Sequence, residues 1–276
     1  MKKIVIVTDS GADLPRNCED VIVIPYSLRR VGESTVYSDN GTISHRKLMD
    51  YINLDVKCDV YKPSYETVES IIDGFEPDKF YLYFPSEINR SVDDDYIKAF
   101  FTKFNSVNNT AVCYTHLTGL ALGLLVKDVN DRAEFGFSLE RINNYVESVA
   151  HSYKLLMVPN MDYMGYSKVT GFKLPKVYDF FKVSPLLRLD EYGNLVITRT
   201  YHKLSDVVDY YIDKVTHQSN KDILVGCSEV AELDKDATYR RILNETKANC
   251  ELVEMTNTNA ALYGSKVLSL AYKEIL

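Results

Sequence analysis

Tryptophan is absent from all 276 residues, so the aromatic content rests on 21 tyrosines and 11 phenylalanines. The five cysteines, Cys18, Cys58, Cys113, Cys227 and Cys250, are odd in number and widely spaced. No Cys-x-x-Cys pair occurs, which argues against structural zinc and against a disulfide framework. The histidines (His45, His116, His151, His202 and His217) are isolated and form no His-Glu-x-x-His, so no metal or other cofactor is expected. Positive charge is also in deficit. The net charge of -7 excludes a dedicated nucleic-acid binder, which needs a basic face. Long apolar runs are missing as well. The longest, Leu117 to Val126, contains Thr118, Gly119 and Gly123 and is too short to span a bilayer. Lys2-Lys3 is followed by a short apolar run that ends at Thr8-Asp9, far less than a signal peptide needs. The expectation is a soluble, cytoplasmic protein with no integral membrane segment.

What is present alternates. β-Branched and aromatic runs at Ile4–Thr8, Val21–Ile24, Lys79–Phe84, Thr110–Thr115, Lys154–Val158, Leu195–Thr200, Asp222–Cys227 and Cys250–Met255 read as strands. Helical spacing lies between many of them. Val68, Ile71, Ile72 and Phe75 fall on one face after Pro63, with Ser64 placed to cap the helix. Tyr96, Ile97, Phe100, Phe101 and Phe104 repeat the pattern behind Asp93, Asp94 and Asp95, and the phenylalanines read as core. Val207, Val208, Tyr211, Ile212 and Val215 make a third such face. This order predicts an α/β fold with a mainly parallel sheet and helices on both faces. A loop-rich stretch from Pro159 to Lys173 breaks the rhythm. It suggests two domains, residues 1–155 and 156–276, with a ligand cleft between them.

The first strand breaks at Thr8-Asp9-Ser10-Gly11-Ala12-Asp13-Leu14-Pro15, where Asp13 and Pro15 suit the start of a helix. Open α/β sheets bind ligands beyond the carboxyl ends of their strands, which makes this turn a candidate site. Phosphate binding there would suit a helix terminus, yet neither Gly-x-Gly-x-x-Gly nor a P-loop lysine is present.

The spelling Thr-Asp-Ser-x-Ala-Asp-Leu-Pro resembles the opening motif of the DegV family, bacterial proteins that bind long-chain fatty acids. Further segments resemble that family in order along the chain. They are Tyr37-Ser38-Asp39 with Gly41, Pro63-Ser64, Ser86 with Ile88, Leu120 to Val126 with Gly123, Val183 to Leu187, and Thr256 to Gly264. Several family positions differ here. Val60 stands for a threonine and cannot donate a hydrogen bond. Asn89-Arg90-Ser91 stands for Ser-Gly-Thr, Ser184 for a lysine, and Asn257 for a histidine. The resemblance implies a two-domain DegV-like fold. Its N-terminal half would be a three-layer α/β/α unit with a parallel sheet, and its C-terminal half a two-layer α/β unit with a mixed sheet. It further implies a non-catalytic acyl carrier that presents its carboxylate to a separate fatty-acid kinase; the family's arginines have no clear match in Asn160 to Lys168, where Lys168 is the nearby candidate cation for docking.

Donors kept at the substituted motifs are Tyr61, Lys62, Ser64, Ser86, Asn89, Arg90, Ser91 and Asn257, the candidate ligand-binding residues. Ordinary structural roles compete for each. Ser64 suits a cap, Lys62 and Arg90 suit solvated loops, Asn89 and Asn257 suit turns, and Gly123 suits close helix packing. Two other functions compete as well. One is an interaction protein whose lipid site has been altered or lost. The other is a hydrolase built from Ser10, Ser64 or Ser86 with one of the histidines, although no Gly-x-Ser-x-Gly elbow occurs.

Overall fold

The computed structural model describes residues 2–87, 102–107, 109–160, 163, 183–218, 222–227 and 235–274. Three sheets organise them. The first is all parallel, in the order β2-β1-β6-β7, with β1 at Lys3–Asp9, β2 at Ile22–Ile24, β6 at Lys79–Phe84 and β7 at Thr110–Val112. The second is a small antiparallel sheet, β4-β3-β5, from Val36–Ser38, Ser27–Arg30 and Cys58–Tyr61. The third runs β10-β9-β8-β13-β11-β12, from Leu195–Tyr201, Ser184–Leu189, Tyr153–Val158, Leu268–Lys273, Asp222–Cys227 and Asn249–Val253. It is mixed, because only β11 and β12 pair in parallel.

Alternation along β1 produces the three-layer arrangement. Ile4 and Ile6 face the helices Gly119–Glu134 and Leu139–Val149, meeting Leu120, Leu124, Ile142 and Val146. Val7, from the other side of the strand, packs with Val68 and Ile72 of the helix Tyr65–Asp73 and with Phe104. The mixed sheet is divided in the same way. Leu155, Leu224 and Ala271 face the long helix Gly119–Glu134. Leu156, Ile223, Val225 and Leu270 face the helices Leu204–Thr216 and Lys235–Thr246. The long helix therefore lies between both sheets, which explains why the run Leu120 to Val126 is apolar on every side and buried throughout. Among the described residues no helix is long and apolar enough to cross a membrane.

The expected parallel sheet, its covering helices and the Ser64-capped helix are all present. Two expectations fail. No helix follows the first strand; residues Ala12 to Val21 form turns and loop, and β2 pairs with β1 without a helical crossover. Asp13 does not cap its own chain, because its carboxylate is turned inward onto the final helix, Asn257–Tyr263. The last element is a strand, β13, paired between β8 and β11 in the mixed sheet. The strands β3, β4, β5, β9 and β13 were not anticipated. Of the expected stripe from Tyr96 to Phe104, Phe104 is fully buried and the residues up to Phe101 lie outside the described set.

Candidate ligand-binding site

At the carboxyl ends of β1 and β6, polar side chains from distant parts of the chain converge. The turn after β1 is pinned against the long helix, with Gly119 N–H donating to Gly11 O at 2.8 Å and Asp13 N–H to Gly119 O at 3.2 Å. A methyl group on Gly123 would fall 1.9 Å from the Asp13 carbonyl oxygen, so only glycine permits this approach. That docking fixes the turn from which Asp9, Ser10 and Asp13 make the polar contacts that follow.

Asp9 is fully buried and accepts from Gly11 N–H at 2.9 Å, Tyr83 O–H at 3.0 Å and Ser86 N–H at 2.9 Å. Asp39 accepts from the N–H and the hydroxyl of Thr258, at 2.8 and 2.7 Å. The Ser10 and Thr258 hydroxyls lie 2.8 Å apart, and both hydrogen-bond the Asp39 carboxyl. Ser10 in turn accepts from Tyr26 N–H at 2.9 Å, and the Tyr26 hydroxyl lies 3.4 Å from Ser86 Oγ. Asp13 accepts from Thr256 N–H at 2.8 Å and from Asn259 Nδ2 at 2.9 Å. Burial pushes all three carboxyls up from their ordinary range, and Asp13 reaches about 6, with Asp39 adding a smaller repulsion. The donors around each carboxylate oppose that rise.

The candidate residues separate on this geometry. Ser86 and Asn257 are part of the network. Asn257 donates Nδ2 to Ile43 O at 3.1 Å and places Oδ1 3.0 Å from His45 Nδ1. Ser64 is an exposed helix cap that accepts from Thr67 N–H at 3.2 Å. Tyr61 is exposed, donates to Asp59 at 3.2 Å and carries the Arg29 guanidinium over its ring at 5.0 Å. Lys62 is half-buried beside it. Asn89, Arg90, Ser91 and Lys168 lie outside the described residues. Val60 is buried with Leu28, Met49 and Leu262, so its position belongs to an apolar core.

Sequence reasoning gave Tyr26, Tyr83 and Thr258 no site role, covered Asp9 and Ser10 only as part of the candidate turn Thr8–Pro15, and otherwise weighed Ser10 and His45 for hydrolysis. Asp39 stood in a quoted motif without a role. Its pairing with Thr258, 219 positions away, has no local signal. The hydrolase reading gains no support from the contacts formed. His45 meets Asn257, His116 lies 3.1 Å from Glu87, and His217 lies 3.6 Å from Asp213, whereas Ser10 meets Thr258 and Ser64 caps a helix.

A family model described as "uncharacterised protein, DegV family" matches residues 3–274. The chain belongs to the DegV family. Solved DegV-like structures share the fold from end to end. A stearic-acid-binding protein from Eubacterium ventriosum superposes with a TM-score of 0.82 at 16% identity, over 98% of this chain and 97% of its own. The fatty acid kinase B3 protein of Streptococcus pneumoniae, loaded with linoleic acid, gives 0.78 at 15% identity, over 99% of this chain and 100% of its own. A fatty-acid-binding DegV family protein from Thermus thermophilus gives 0.77 at 17% identity, over 99% and 100%. Comparison with curated proteins returned no match. At these identities the likeness establishes the DegV fold, and the site must be argued from its own residues.

Proposed function

We propose that this DegV chain binds one long-chain fatty acid and performs no chemistry on it. The observation that carries the reading is the end-to-end match to relatives whose structures are described as binding stearic acid or holding linoleic acid. The local geometry supports it. Ser86 and Tyr26 place two hydroxyls 3.4 Å apart at the carboxyl ends of the parallel strands, where open α/β folds take ligands. In this reading the acyl carboxylate meets those hydroxyls, and Asn89, Arg90 and Ser91 belong to the same head-group site. Burying the tail supplies the affinity, at roughly 0.8 kcal/mol for each methylene before ordering costs. We place the ligand between units 1–155 and 156–276. The finer role is that of a carrier, presenting the carboxylate to a separate fatty-acid kinase, as the name of the pneumococcal relative suggests.

A second reading, an interaction protein with an altered lipid site, draws on the same residues. Both ends of the Asn257 amide are already engaged, by Ile43 and by His45. Native mass spectrometry of freshly purified protein, followed by organic extraction, separates the two. A co-purifying C16 to C18 acid is expected. Protein that is empty and also takes up no added palmitate at tens of micromolar would favour the second reading.

A further inference from the structure

At the opposite pole of the parallel sheet, by the amino ends of β1 and β6, lies a cavity of about 730 Å³. Phe80, Phe137 and Leu139 line it, and nothing in the fatty-acid reading uses it. Beside it stands Phe135, 83% exposed, the most exposed large hydrophobic side chain among the described residues.

A fastened turn imposes that exposure. At the end of the helix Gly119–Glu134, Phe135 N–H donates to Asp131 O, Gly136 N–H to Ala133 O and Phe137 N–H to Arg132 O, all at 3.0 Å. Gly136 takes a φ of +77°, closing the helix as a glycine cap does. The two phenylalanines on either side of it diverge. Phe137 lines the cavity, with the Arg141 guanidinium 5.0 Å from its ring, and Phe135 faces solvent. An aromatic knob is thus held by backbone bonds at the edge of an apolar hole.

The charges around the hole define what fits it. Lys2, Lys3, Glu134 and Glu140 are all exposed there, and none forms an ion pair among the described residues. Lys2 Nζ donates to Pro77 O at 2.7 Å, and Glu134 accepts from Asn130 Nδ2 at 3.0 Å, so both bonds go to neutral groups. A patch with both signs in equal number is complementary to a second copy of itself. A two-fold contact sets the same patch of each copy against the other, so lysines can meet glutamates and knob can meet hole. An anionic lipid surface fits less well, because it would repel the two glutamates as well as the chain's net charge of -7.

We propose that this face is the interface of a homodimer. Phe135 of each copy seats in the cavity of the other, and Lys2 and Lys3 face Glu134 and Glu140 across the two-fold axis. Aromatic anchors with a polar rim are the usual make-up of such interfaces. The proposal is independent of the fatty-acid reading, since the carboxyl ends of the strands point away from the contact and stay open.

The test measures mass by sedimentation equilibrium from about 1 to 300 µM. Wild type should rise from the monomer mass toward twice that value. Phe135→Asp should raise the dimer Kd about tenfold or more. Lys3→Glu and Glu140→Lys should each weaken the dimer about tenfold, because each change acts twice across the axis, and the double variant should return to within about threefold of wild type. All three residues are exposed, and circular-dichroism melts check that each variant is folded. Wild type that stays monomeric throughout that range would overturn the proposal. A dimer indifferent to F135D would lie on another face and overturn it too, as would charge reversals that fail to rescue each other. Monomeric protein whose Phe135 instead confers binding to phosphatidylcholine vesicles would assign the face to a lipid surface and also overturn it.

Discussion

The two ends of the helix Gly119–Glu134 are both polar, and they are built on opposite principles. Near its end, Asp128 accepts from Tyr145 O–H at 2.7 Å and from the Tyr153 hydroxyl, with Arg132 3.8 Å away. Lys273 donates to Tyr145 at 3.0 Å, and burial pulls its ammonium below the ordinary range. That cluster ties the long helix to the helix Leu139–Val149, to β8 and to β13, and its anion faces two cations. At the helix start, Asp9, Asp13 and Asp39 are held only by neutral donors among the described residues. The first cluster is closed on itself and fastens the fold. The second is left electrostatically incomplete, which is the condition expected where a ligand or a proton completes a site.

Closing the gap at the helix start should produce the largest effect. Gly123→Ala pushes a methyl group into the Asp13 carbonyl, a backbone atom that cannot turn aside. The cost should be about 3 kcal/mol in urea unfolding, with loss of fatty-acid binding because the turn carrying Asp9 and Ser10 is displaced. Retained stability in G123A would mean that the turn and the helix are not fastened as described.

The charge contrast predicts a pH effect at that end on the acid side of neutrality. Asp13 is raised from the ordinary 3.8 to about 6, so the folded state holds its proton more tightly than the unfolded chain does. The stability this contributes is fully present below pH 3.8 and is lost as the pH rises through 6. The gap corresponds to roughly 3 kcal/mol. Asp13→Asn keeps an acceptor for Thr256 N–H and Asn259 and removes the ionisation. Melting profiles should therefore show wild type losing stability relative to D13N between about pH 4 and pH 7, with the curves parallel outside that window. Parallel curves throughout would show that Asp13 does not titrate there.

Much of this contrast was hidden from the sequence for physical reasons. Hydrophobic periodicity exposed the helix Tyr65–Asp73 and its Ser64 cap, because both signals are local. The run Leu117 to Val126 gave no amphipathic stripe, because two sheets bury it from opposite sides. Asp13 followed by Pro15 matched a helix start by local rules. The structure overrides that match with bonds to residues more than 240 positions away. The site was legible only as short separate motifs, chiefly Thr8–Pro15 and Thr256–Gly264, with Asp39 and Ser86 in two others. The meeting of the chief two through Ser10 and Thr258 is a tertiary fact that spacing cannot carry.

The smallest effects should separate the two ends most cleanly, through a pair of single-oxygen deletions. Tyr153→Phe removes one donor to Asp128 in the closed cluster and should cost about 1–2 kcal/mol of stability without changing palmitate affinity. Ser86→Ala removes a half-buried hydroxyl whose neighbour, Tyr26, stands 3.4 Å away at the edge of the incomplete network. Because the Ser86 side chain also hydrogen-bonds the buried Asp9 carboxyl, the change should cost about 1 kcal/mol of stability and weaken palmitate binding by about tenfold. Chemical denaturation and palmitate titration on both variants measure the difference directly. If Ser86→Ala lowered stability and left binding intact, the strand-end hydroxyls would belong to the scaffold, and the two ends of the helix would differ in composition but not in purpose.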